Sequence, residues 1–214
     1  MEKLDHMKAI KIKFSESDDD LFGQSKWWGA PDLPDDWEYP EMPDMDDTPL
    51  TFICQINCAD LAPYDSEGQL PHEGMLYFFA ALDEYMDKDG FECSFHNGMG
   101  EWDSDAFKVL YTPSTDNLSP YELTWDDETP IYLPAEAINF EVGEPFSDDF
   151  RLLGMPYFQS VQEGYYDYIN LLQIDEEDRW SLRLYDCGMI NFLIRPEDLK
   201  ARRFDKAIVY FESL

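Results

Sequence analysis

The chain has 214 residues, 44% hydrophobic and 16% aromatic, enough to bury one sizeable core and too apolar for a disordered protein. Forty-seven acidic residues face fifteen basic ones, and a net charge of −32 excludes a protein that tracks phosphate backbones or anionic membrane. No apolar run approaches the roughly 18–20 residues of a membrane span.

In chain order, "MEKLDHMKAIKIKF" carries charge but no apolar core or cleavage site of a secretory signal, so a cytoplasmic location is expected. His6 falls in this stretch, which reads as a mobile terminus. Residues 15–49 are rich in Asp, Glu and Pro, and prolines 31, 34, 40, 43 and 49 argue against a regular helix or a central strand. Trp27, Trp28, Trp37 and Tyr39 sit within this stretch, so it reads as an ordered, irregular arm with its acids outward. Strand signals follow at 50–56, 74–80, 107–111, 131–133, 137–142, 168–174, 182–185, 188–194 and 206–211. Helical signals are short, around 58–62 and in "RPEDLKARRF", where Pro196 suits a first helical turn.

Three landmarks recur in the same order. "KWWGAP" from Lys26 echoes "RLLGMP" from Arg151, "TFICQINC" echoes "YINLLQID", and "GMLYFF" from Gly74 echoes "GMINFL" from Gly188. The expected fold is therefore α+β and β-rich, a duplicated pseudo-two-fold arrangement of antiparallel strands with short helices. A single domain spans 1–214, with internal repeat units at about 25–80 and 150–194.

Gln55 and Gln173 stand at matching places in two apolar strands. A buried amide left unpaired costs roughly 1–3 kcal/mol, so each is expected to hydrogen-bond. The structural reading gives them backbone partners or each other; the functional alternative places both in a ligand cleft between the repeats. Gly29 and Gly154, each two residues before a proline, mark turns that pass close to the core.

Few chemical motifs emerge. Cys54 and Cys58 with Cys93-x-x-His96 fit no strong zinc spacing, and the thiols read as reduced core residues. No nucleophile elbow, zincin, Walker A or dinucleotide fingerprint occurs, and only three histidines are present, so an enzyme is the less favoured reading. "DKDGFE" from Asp87 fails the EF-hand template and reads as a turn at Asp89-Gly90. No metal or cofactor is expected.

The ordered series "SKWWGAPDLP", "PLTFICQIN", "LPHEGMLYFF", "LLGMPYFQS", "INLLQID" and "CGMINFLIRPEDLKARRF" resembles the YwqG-like family of bacterial proteins, a domain of unknown function. The likeness runs from about residue 25 to 210. The chain departs from the family pattern at Trp28, where the family favours Gly, and at Leu184-Tyr185-Asp186, where it favours Trp-Gly-Asp. The resemblance implies a duplicated, β-rich α+β fold. Some members lie near secreted-toxin systems, which implies an immunity role.

Charge is spread unevenly. Residues 15–150 hold thirty-four acids against three lysines, a net of −31. Such a field can serve as a well-solvated surface, as an adaptation to high salt, or to steer a basic partner and speed its association. The expected function is thus a non-enzymatic acidic binding protein, with a basic toxin domain as the leading partner and no nucleic acid or membrane. Trp27, Trp28, Asp35, Asp36, Trp37, Asp44, Asp46 and Asp47 are the candidate contact residues. The alternative is an enzyme or small-molecule binder that uses Gln55 and Gln173 in a cleft.

Overall fold

The structure is a computed structural model that describes residues 8–42, 48–86, 97–125 and 128–214. Apolar and lysine side chains alternate from Ile10 to Phe14, and this stretch forms strand β1 (Ala9–Ser15). The arm contributes β2 (Lys26–Trp27), β3 (Asp32–Pro34), β4 (Glu41–Met42) and β5 (Thr48–Pro49), all very short. Then come β6 (Thr51–Asn57), β7 (Met75–Ala80), β8 (Gly100–Glu101), β9 (Phe107–Thr112), β10 (Leu118–Pro120) and β11 (Glu136–Gly143). The rest of the chain adds β12 (Arg151–Leu152), α1 (Gln159–Gly164), β13 (Ile169–Ile174), β14 (Met189–Ile194), α2 (Pro196–Lys200) and β15 (Ile208–Glu212).

Eleven strands make one curled antiparallel sheet in the order β8-β15-β14-β13-β12-β1-β11-β2-β6-β7-β9. Its middle is the β1–β11 pair, where Ile12 faces Phe140. The N-terminal segment, expected to be mobile, is central from Ala9 onward because Ile10 and Ile12 bury completely or nearly so. The arm also supplies a strand inside the sheet, against expectation. β2 lies between β11 and β6, and it fits there because it ends four residues before Pro31. Two expected strands are missing. Residues 131–133 are hemmed by Pro130 and Pro134, and 182–185 follow Ser181, whose φ of 52° turns the chain.

On one side of the middle, Lys26 faces Gln55 and Gln55 faces Tyr77. On the other, Arg151 faces Gln173 and Gln173 faces Asn191. The register slips between Phe52 and Cys54 in β6, and between Asn170 and Leu172 in β13. Gly29 and Gly154 share a left-handed backbone, at φ of 77° and 78°, directly after Trp28 and Leu153 at 58° and 60°.

β7, β13 and β14 are buried at every residue, so both faces of the sheet are covered there. That coverage explains why these strands read as continuous apolar runs rather than as alternating ones. Near the middle, Phe14 packs on Trp27, Phe150 and Trp180 with centroids 5.1, 5.1 and 4.8 Å away. Trp27 stacks on Trp180 at 5.8 Å, and Trp28 meets the Trp180 edge at 5.4 Å. Such pairs add about 0.5–1.5 kcal/mol each beyond area burial.

Candidate functional site

Gln55 is fully buried on β6 and uses its whole amide. Its Oε1 accepts the Asp32 N–H at 2.8 Å, and its Nε2 donates to the Gln24 carbonyl at 2.9 Å and Asp32 Oδ2 at 2.6 Å. Asp32 Oδ2 also accepts from Lys26 Nζ and the Gly23 N–H, both at 2.9 Å. The Tyr77 hydroxyl donates to the Asp32 carbonyl at 2.6 Å, and burial pushes its pKa up, so it stays protonated. This is a closed buried ion pair with its hydrogen bonds nearly complete, an arrangement that fixes local geometry. Asp32 Oδ1 alone lacks a partner.

Gln173 does the same work on β13. Its Oε1 accepts from the Tyr157 N–H at 3.0 Å and Arg151 Nη2 at 3.1 Å. Its Nε2 donates to the carbonyls of Ser147 at 3.1 Å and Asp149 at 2.9 Å. Arg151 also donates to the carbonyls of Glu144 and Met155. Here Tyr157 holds the place that Asp32 holds beside Gln55, so the guanidinium is buried without a bonded carboxylate. Burial lowers its pKa to about 10, with Asp149 and Asp148 pulling the other way. Both glutamines bond backbone, as the structural reading expects, and not each other.

The open space lies elsewhere. A cavity of about 380 Å³, within the usual range for small-molecule sites, opens between β6, the arm and residues 123–125 and 131–133. Trp28, Tyr39, Phe52, Trp125 and Tyr132 give it aromatic walls, and Leu50, Leu123, Ile131 and Leu133 line the rest. Its polar side is a pair at the start of β6, where Thr51 Oγ1 donates to Asp83 Oδ1 at 2.8 Å. The Tyr39 hydroxyl is turned away onto the Leu50 carbonyl at 2.9 Å. Neither Gln55 nor Gln173 lines this cavity. The walls at 123–125 and 131–133 carry no sequence motif.

The candidate contact residues separate. Trp27 and Trp28 are 0% and 1% exposed, so both rings belong to the core and neither reaches a partner from this position. Trp37 is half-buried against Tyr77, at 6.0 Å. Asp35 and Asp36 are exposed, on a turn held by the antiparallel pairing of β3 with β10. Asp116 and Glu122, which flank β10, are exposed as well, and Ser119 Oγ donates to Asp35 Oδ1 at 2.6 Å. Asp44, Asp46 and Asp47 lie outside the described residues, as do Asp87–Glu92, Cys93 and His96.

Cys54 and Cys58 are buried, and burial pushes both thiols up, Cys58 to about 12. They are core thiols, protonated at neutral pH. Among the described residues no group of His, Cys, Asp and Glu is placed to hold a metal ion.

A family model described as "Domain of unknown function (DUF1963)" matches residues 25–212. No curated protein matches the chain. No helix among the described residues is long and apolar enough to cross a membrane.

Proposed function

The chain belongs to the family described as a domain of unknown function (DUF1963), and we propose from its own surface that it is a non-enzymatic binding protein for a basic protein. The observation that carries this reading is the concentration of a net −31 in residues 15–150. Asp35, Asp36, Asp116 and Glu122 stand exposed around the β3–β10 pair. Parallel acids of this kind raise the encounter rate of a cationic partner before any contact forms. A nuclease toxin is the leading partner, because it must carry a cationic groove for phosphate that such a surface would cover. The YwqG-like resemblance, with its implied immunity role, supports the same reading.

Capture from lysate at low salt, followed by release at about 0.5 M salt, tests it, since charge-steered contacts fade within a Debye length of a few ångströms there. A partner retained equally at both salts would contradict it.

The proposal includes a duplicated, pseudo-two-fold architecture with units at about 25–80 and 150–194. Its support is the matched register of Lys26–Gln55–Tyr77 and Arg151–Gln173–Asn191, together with the two equivalent register slips. A crystal structure in which superposed units separate Gln55 from Gln173, or Gly74 from Gly188, would remove it.

A second reading is a small-molecule binder. The cavity beside Trp28 and Asp83 favours it, in place of a cleft at the glutamines.

A further inference from the structure

We propose that the cavity between β6 and residues 123–125 and 131–133 takes a small organic cation, an amine or quaternary ammonium carried on an apolar body. The inference rests on the small-molecule reading and gives it a ligand class.

Three observations carry it. The walls are aromatic to an unusual degree, with Tyr39, Phe52, Trp125 and Tyr132 around one space of about 380 Å³. Aromatic faces carry negative quadrupole charge and attract cations, and grouped rings are the recurring receptor for alkylated ammonium. Among the described residues the one formally charged side chain in the lining is a carboxylate, Asp83, half-buried and anchored by Thr51 Oγ1 at 2.8 Å. Among the described residues no lysine or arginine lines the cavity.

The field outside favours the same sign. The cavity lies in the part of the chain that holds a net −31. An anionic ligand would have to enter against that field and settle beside Asp83. A neutral apolar ligand would gain from the walls and nothing from the carboxylate. A cation gains from the rings, the carboxylate and the approach. The left-handed backbone of Trp28 adds nothing to the argument, because Leu153 has the same conformation far from the cavity.

The test is a titration of the full chain, at about 0.15 M salt, with choline and with its neutral isostere 3,3-dimethylbutan-1-ol. These probes share size and shape and differ in charge. Choline is expected to bind saturably, and the neutral alcohol about tenfold more weakly. Asp83→Asn and, separately, Trp125→Ala are expected to weaken choline severalfold at an unchanged thermal midpoint. Glu67→Gln removes an exposed acid in a turn that does not line the cavity. It is expected to leave binding unchanged.

Equal affinity for the two probes would overturn the cation assignment while leaving a small-molecule cavity. Binding of neither would overturn both. Equal weakening by Glu67→Gln and Asp83→Asn would reduce the effect to counterion attraction by the whole surface, and so also overturn the site.

Discussion

Gln173 stands directly across the sheet from Arg151 and accepts its Nη2–H at 3.1 Å. Gln55 stands in the same way across from Lys26, but its carbonyl accepts the Asp32 N–H, and Lys26 pairs with the Asp32 carboxylate. One position thus solves the problem of a buried cation with a carboxylate, and the other with backbone carbonyls. The consequences for stability differ.

Gln55→Ala is expected to destabilise the protein by roughly 1–3 kcal/mol, because the buried Asp32 N–H and Asp32 Oδ2 each lose a partner. The shift of the urea midpoint measures it. An unchanged midpoint would mean that the amide contributes nothing.

Asp32→Asn is expected to cost more, about 3–5 kcal/mol, since the Lys26 ammonium then stays buried without its counter-charge. Lys26 and Asp32 side chains are only 7% and 0% exposed, so water does not replace the missing charge. A loss no larger than that of Gln55→Ala would show that the pair is not held as a buried ion pair.

Asp175 follows Gln-Ile on β13 as Asn57 does on β6, yet it is a carboxylate. Burial pushes its pKa up to about 6, helped by Asp148, Glu176 and Asp149 and opposed by the Glu176 N–H. With its folded pKa above the unfolded value of about 3.9, this group favours folding fully below that pH. The contribution is lost as pH rises through about 6. Asp175→Asn is therefore expected to stabilise the protein at pH 7 by about 1 kcal/mol, after allowance for partial exposure. The gain should shrink as pH falls through about 6 and be gone below about pH 4. Thermal midpoints of the two proteins across that range check the sign, and coincident midpoints at pH 7 would contradict it.

Two glycines give opposite expectations. A Cβ on Gly74 would meet the Thr112 carbonyl oxygen at 2.0 Å, and its φ is +78°, so Gly74→Ala should cost several kcal/mol (roughly 3 or more). Gly164 ends α1 with nothing within 4 Å of a Cβ, so Gly164→Ala should be neutral or stabilise by up to about 1 kcal/mol. Denaturation of both variants under one condition ranks them.

The strands that carry the core were legible because their apolar runs are long and bounded by turn residues, as at Thr51–Asn57 and Met189–Ile194. The middle of the sheet was not. β1 hides its alternation behind lysines in a charged terminus, and β2 is two residues long, defined by its neighbours and by no pattern of its own. α1 escaped notice because it spans six residues with no side-chain cap. The glutamine hubs could be expected from polar residues in apolar strands. Trp27 and Trp28 misled because acids and prolines surround them in sequence, while in space their neighbours are Phe14, Phe150 and Trp180. The cavity was invisible because its walls come from segments far apart in the chain.

The central claim is that the acidic surface of residues 15–150 recognises a basic protein. The most direct measurement compares the parent with a variant carrying Asp35, Asp36, Asp44, Asp46 and Asp47 all changed to Asn. The change keeps side-chain size and removes five charges, so folding should be tolerated. Association rates with the captured basic partner are followed from low to physiological salt. The account expects a slower rate for the variant and a flatter dependence on salt, with the dissociation rate less affected. Equal association rates at low salt would contradict it, and the arm would then be a solvated surface that recognises nothing.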